Sequence, residues 1–320
     1  MNGRGEAERH IEQLLAAARA VKTTFNGVPA CPVPLGWTHG LSAEEAQQIV
    51  ERYDRYGFAV FGPIPGSVSA ETSTILAQAL QLGDPFVPPL YTIAGRKASP
   101  VSRISAAFNS GTDHADHPSF GRTVGQQMHC DGTLQEIGFI KATVLLCESP
   151  AFDGGDTNLF NSSAAYAELA AADQRAAVAL ATPGVLVRQA NINDCTEAKA
   201  GPAFAVQHGQ LIARYCVSET DRWVVPDPDQ ALADDLPRGV EFLRRAAEPG
   251  SRYFAQLGLE RGQAIVLDNT RISHGRTAYR DFGNRRRCLY RGLYLRHPRR
   301  PRVDAARGRG EHTSAASEAV

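Results

Sequence analysis

Apolar and polar positions follow two different periods along this chain, and the switches between them mark out its elements. Ile11, Leu14, Leu15 and Ala18 recur at helical spacing, which predicts a helix over 6–21. Ser42, followed three residues later by Glu45, is a capping-box pair that opens a helix over about 43–56. The apolar run GFAVFGPIP (57–65), bounded by Gly and Pro, reads as a buried strand, and SAETSTILAQALQLG as a helix ended by Gly83. GFIKATVLLCE (138–148) reads as a strand and SSAAYAELAAADQRAAVALA (162–181) as one capped helix. FAVQHGQLIARYCV (204–217) has the form of a hairpin turning at His208-Gly209. A helix near 229–247 then precedes two more strands, GQAIVLDN and RRCLYRGLYL.

Residues 84–124 show no clear period and are rich in Pro, Ser, Gly and His, the mark of an active-site lid or binding loop. The tail from Pro298 has little to bury and is expected to be disordered. Many strands, a few interleaved helices and no βαβ alternation predict a mainly β chain with flanking helices (α+β), a sandwich or barrel. The expected organisation is an N-terminal helical extension (1–40), a single domain (41–297) and a tail (298–320).

Composition narrows the partners. Lys+Arg and Asp+Glu both number 34, so net charge gives no pull towards nucleic acid or an anionic membrane. No run approaches the ~18 apolar residues of a membrane span, and the first 25 residues lack a signal-peptide core. Six cysteines without a C-x-x-C pair read as reduced thiols, which predicts a cytoplasmic protein.

Candidate chemistry begins in MHCDGTLQEIGFIKATVLLCESPAFDGGDT (128–157). On a strand, residues i and i+2 share a face, so His129 and Asp131 project together while Cys130 turns away. An imidazole and a carboxylate suit a first-row divalent metal, and a second histidine would complete the facial triad associated with non-haem Fe(II). Composition alone yields about one His-x-acid pair; the chain has three. His10–Glu12 lies on a predicted helix, where i and i+2 diverge. His114–Asp116, with His117, sits in the loop-like SGTDHADHPSF, open to reading as a solvated turn, a lid or a fortuitous metal site. His274, shortly after the strand that ends at Asp268-Asn269, is the candidate third ligand. Arg287 and Arg291 are four apart and share one strand face; buried, they would need anions, and exposed, they would decorate an edge strand. Gln127 has the parity of His129, and Asn109 lies in the irregular region; either could touch a substrate or be an ordinary loop amide.

His129-x-Asp131, Gly154-Gly155-Asp156-Thr157, Asp268-Asn269…His274-Gly275-Arg276 and Arg287-x-Leu289-x-Arg291 occur in that order. Together they resemble the motifs of the taurine dioxygenase/clavaminate synthase-like superfamily of Fe(II)/2-oxoglutarate-dependent dioxygenases, over about residues 57–296. The resemblance implies a double-stranded β-helix (jelly roll) core using Fe(II), 2-oxoglutarate and O2. It implies iron ligation by His129, Asp131 and His274, contact of Thr157 with 2-oxoglutarate, and a clamp by Arg287 on its distal carboxylate. Arg291 then corresponds to an arginine that holds a substrate carboxylate or sulfonate. The expected reaction is hydroxylation of an unactivated C–H bond in a small carboxylate-bearing molecule, such as an amino acid or natural-product intermediate, releasing succinate and CO2. Desaturation or ring closure would use the same ligands, whereas halogenation is disfavoured because Asp131 is present. A zinc hydrolase would have no use for Thr157 and Arg287, and a non-catalytic jelly-roll binder no need of all three ligands. Arg276 supports His274 or is a surface charge.

Overall fold

Ser42 and Glu45 close the capping box: Ser42 Oγ accepts from the Glu45 N–H, and the Glu45 carboxylate accepts from the Ser42 N–H. Helix α2 (Ala43–Tyr56) follows, ending at Gly57, whose φ of +76° lets its N–H reach the Tyr53 carbonyl. A side chain there would also collide with Ile272, 2.6 Å from where its Cβ would lie. The computed structural model describes residues 2–37, 40–91, 99–106, 121–190, 195–226 and 230–300.

The core is two antiparallel sheets. One has the order β1 (Phe58–Phe61), β13 (Ala264–Asp268), β4 (Ala142–Ser149), β16 (Cys288–Tyr294), β2 (Ser102–Ile104). The other has the order β12 (Phe254–Leu257), β6 (Thr157–Phe160), β14 (Ser273–Arg276), β3 (Gln126–His129). Leu145, Cys147, Ile265, Leu267 and Leu289 of the first sheet pack in one apolar cluster with Leu159 of the second, as expected of a jelly roll. Smaller pieces flank them: β11 (Asp221–Trp223), β7 (Leu186–Gln189) and β8 (Ala198–Gly201) form a sheet, and β5 (Asp153–Gly154) pairs with β15 (Tyr279–Arg280). The hairpin β9 (Phe204–Gln207)/β10 (Gln210–Ala213) turns at His208-Gly209 as predicted.

Helix α1 (Asn2–Arg19) buries Leu14, Ala17 and Ala18 in a cluster shared with α4 (Ser162–Ala172) and α6 (Gln230–Ala246). Helix α3 (Ala70–Ala79) packs beside β16 and β4. Two predicted elements differ. The helix over 162–181 is two helices, α4 and α5 (Gln174–Leu180), because Asp173 leaves helical φ/ψ and accepts from the Ala176 N–H as a new N-cap. The strand expected over 138–148 starts only at Ala142, since Gly138, at φ +73°, belongs to a turn. Among the described residues, no helix is long and apolar enough to cross a membrane.

Candidate active site

Strand pairing brings the histidines together. Across β14 and β3, His274 stands opposite His129, with ring centroids 4.4 Å apart. Asp131 arrives by a different route from the one its spacing predicts. Strand β3 ends at His129, so Asp131 lies beyond the ladder, yet its carboxylate still turns towards both imidazoles. One donor atom from each of His129, Asp131 and His274 lies within 4.8 Å of the other two. Cys130 does face away, buried against Cys216 and Ser273.

Each donor is held in the state a divalent metal needs. His129 Nδ1 is 3.0 Å from the Gln127 carbonyl; donating there leaves the lone pair on Nε2. Burial holds His129 below the ordinary imidazole range, and burial with the neighbouring His129 pushes His274 down to about 3. Both rings are therefore neutral at pH 7. Burial pushes the Asp131 carboxyl up, but Arg291, His274, His129 and Thr143 outweigh it and hold the group well below the carboxylate range. Asp131 Oδ1 accepts from Arg291 at 2.9 Å and Oδ2 from the Thr143 hydroxyl at 2.7 Å. Two neutral imidazoles and a carboxylate suit Fe(II).

A narrow compartment adjoins this trio, lined by Thr157, Arg276, Arg287 and Leu289. Arg287 is buried there; its Nε donates to the Gly155 carbonyl at 3.3 Å, while its Nη1 has no partner among the described residues. Burial and then the nearby Arg276 pull its guanidinium down to about 10. A buried cation with an unpartnered donor, repelled by a second cation, is a socket for an anion. Gly155 makes room for it: at φ +80°, its absent Cβ would sit 2.9 Å from Arg287 Cδ. Thr157, at the start of β6, is buried opposite Arg276. Arg276 is no surface charge, since it donates to the Arg122 and Val124 carbonyls and ties that segment to β14.

Gln127, Tyr91, Arg188 and Arg291 line a second cavity, of about 130 Å³, that also reaches His129 and Asp131. Arg291 shares the site with Arg287, but its guanidinium bonds Asp131 and the Tyr91 hydroxyl, the latter at 2.7 Å. Gln127 is exposed. Asn109 and the His114, Asp116 and His117 group lie outside the described residues. Sequence reasoning passed over Thr143, Arg188 and Tyr91. Thr143 and Arg188 are polar interruptions of apolar strand runs, a signal that could have found them; Tyr91 carries none.

A double antiparallel β core, two neutral histidines and an ionised aspartate converging beside an anion socket define a non-haem Fe(II) oxygenase with an oxo-acid co-substrate. The chain belongs to the taurine catabolism dioxygenase TauD, TfdA family, whose profile matches residues 19–293. It is thus a 2-oxoglutarate-dependent dioxygenase that uses Fe(II), 2-oxoglutarate and O2, of a family that acts on small molecules. It is 39% identical over 274 residues to a uridine-5'-phosphate dioxygenase of Amycolatopsis sp, covering 85% of this chain and 95% of that protein. It is 33% identical over 258 residues to a uridine-5'-phosphate dioxygenase of Streptomyces sp, covering 79% and 90%. In fold it is similar to a taurine dioxygenase from Burkholderia xenovorans, with a TM-score of 0.56 at 18% identity over 86% of this chain and 88% of that one.

Proposed function

We propose that His129, Asp131 and His274 hold the Fe(II), that Arg287 and Thr157 hold 2-oxoglutarate, and that the substrate is a nucleoside 5'-monophosphate of the uridine type, hydroxylated at a C–H bond. The observation that carries the site reading is the buried Nη1 of Arg287, unpartnered among the described residues, beside the converged donor trio. Bound here, Fe(II) supplies the activation of O2 by which 2-oxoglutarate is decarboxylated to succinate and CO2 and one oxygen atom enters the substrate. The chain's part is placement and charge. His129 and His274 present neutral lone pairs, and Asp131 contributes a carboxylate that Arg291 and Thr143 hold from two sides. Arg287 neutralises the far carboxylate of the co-substrate, the Thr157 hydroxyl donates to it, and the surrounding Leu145 and Leu289 exclude water.

The substrate reading draws its support from two relatives that share nearly their whole length with this chain. An amino acid or other carboxylate-bearing substrate rested on Arg291, whose guanidinium is here engaged by Asp131 and Tyr91. All six cysteines are free thiols, in keeping with a cytoplasmic location.

The test is aerobic incubation with Fe(II), 2-oxoglutarate and, separately, uridine 5'-monophosphate, uridine, taurine or free amino acids. Succinate release above background with the nucleotide, and little with uridine, is the expected result. Turnover with an amino acid and none with the nucleotide would overturn the substrate reading while leaving the iron site intact.

A further inference from the structure

Asp131 stands outside every strand, so no ladder bonds its backbone. That backbone is nevertheless saturated. Asn269 Oδ1 accepts from the Asp131 N–H at 2.8 Å, and Asn269 Nδ2 donates to the Asp131 carbonyl at 3.1 Å and to the Ile140 carbonyl at 3.2 Å. Only one orientation of the amide satisfies one N–H and two carbonyls, so this network sets its oxygen and nitrogen. The side chain thus exchanges two bonds with a single residue, as a neighbouring strand residue would across an antiparallel pair.

Asn269 is itself fixed. It is buried, its own N–H donates to the Lys141 carbonyl at 3.0 Å, and it directly follows β13 in the central sheet. His274 lies only five residues on. One short segment therefore delivers one donor of the trio and clasps the backbone of another. Arg188 supports the same turn, donating to the flanking carbonyls of Cys130 and Gly132 at 2.9 and 3.3 Å.

We infer that Asn269 is the positioning residue for the carboxylate ligand: its amide registers Asp131 against His129 and His274 in place of the missing strand bonds. The inference rests on the reading of Asp131 as an iron ligand. It predicts that Asn269 governs iron affinity without touching the iron. Truncation would leave one N–H and two carbonyls unpaired in the interior and free Asp131 to shift. Small displacements matter at a metal site, because its ligands must converge to within a few tenths of an ångström.

The experiment titrates Fe(II) anaerobically into metal-free protein at saturating 2-oxoglutarate and follows the visible charge-transfer band, with the melting temperature of the metal-free protein recorded alongside. Four variants are compared with the unaltered chain. Asn269→Ala is expected to weaken Fe(II) binding at least tenfold. Asn269→Asp keeps the acceptor for the Asp131 N–H but loses both donors, and is expected to weaken binding at least fivefold; it carries the test if Asn269→Ala does not fold. Asp173→Ala removes the N-cap of α5, whose side chain accepts from the Ala176 N–H and which lines neither compartment beside the trio. It should lower the melting temperature while leaving iron affinity within twofold. Asp131→Ala should abolish the band.

Wild-type iron affinity in either folded Asn269 variant would overturn the inference. So would an equal loss of affinity in Asp173→Ala, which would mean that general destabilisation is the cause. If Asp131→Ala kept the band, the ligand reading itself would fail, a result distinct from both.

Discussion

Replacing Arg287 with Met should move stability and co-substrate binding in opposite directions. Burial and the adjacent Arg276 pull the guanidinium from 12.5 to about 10, which corresponds to about 3 kcal/mol of unfavourable surroundings for the charge. Against this, Met loses the 3.3 Å bond from Nε to Gly155, about 1 kcal/mol. It also loses the stacking over Tyr279 at 5.3 Å, about 1 kcal/mol more. The sum leaves the protein without co-substrate about 1 kcal/mol more stable, a rise in Tm of about 2 °C. With 2-oxoglutarate the sign reverses. Removing one partner of a buried charged pair costs about 2–5 kcal/mol, so its Kd should rise roughly thirtyfold to several thousandfold. Differential scanning fluorimetry with and without 2-oxoglutarate reads both quantities. Unaltered protein should gain about 3 kcal/mol at a ligand concentration of about a hundred Kd, and the variant should gain no more than about 1 kcal/mol at that concentration. A variant that melts several degrees lower yet binds 2-oxoglutarate normally would show that Arg287 is a structural cation, and the anion-socket argument would be wrong.

Gly155→Ala places a methyl 2.9 Å from Arg287 Cδ at a φ of +80°; the KM for 2-oxoglutarate should rise tenfold or more in steady-state assays while Fe(II) affinity stays within about twofold. Thr143→Val is nearly isosteric and deletes one 2.7 Å bond to the Asp131 carboxylate, so Fe(II) affinity should fall about three- to tenfold in an anaerobic titration, from about 1 kcal/mol. Acidification tests the buried imidazole. His274 sits at about 3 when folded and at about 6.5 when unfolded, so between those values the unfolded chain binds more protons. The stability of the metal-free protein is then complete above about pH 6.5 and falls by up to about 1.4 kcal/mol per pH unit as pH drops towards 3. Urea unfolding of metal-free His274→Gln between pH 7 and 4.5 should show a flatter slope than the unaltered chain, and an unchanged slope would contradict the assignment.

The parts of this site that could be read from sequence are those with a local signature. Ser42 and Glu45 marked a helix start because a capping box is complete within four residues. The His208-Gly209 turn was legible for the same reason. Arg287 and Arg291 stood out as charges at the head of and within an apolar run, and both reach the compartment beside His274. What stayed hidden depends on contacts across long separations. Thr143 of β4 meets Asp131 in the loop after β3, and Tyr91, itself outside any strand, meets Arg291 from 200 positions away, contacts that no local period encodes. Strand parity put His129 and Asp131 on one face, yet β3 ends before Asp131, and an amide 138 positions away restores the geometry. The division of 162–181 into two helices was written in Asp173, but an acidic residue inside an alanine-rich run competes with strong helical periodicity.

The central claim is that His129, Asp131 and His274 meet around one ferrous ion with 2-oxoglutarate beside it. Anaerobic addition of Fe(II) and 2-oxoglutarate to the unaltered chain should produce a weak visible charge-transfer band. The band should vanish in His129→Ala, Asp131→Ala and His274→Ala, and in Arg287→Met it should require far more 2-oxoglutarate. A full band in any of the three ligand variants at wild-type Fe(II) concentrations would contradict the account.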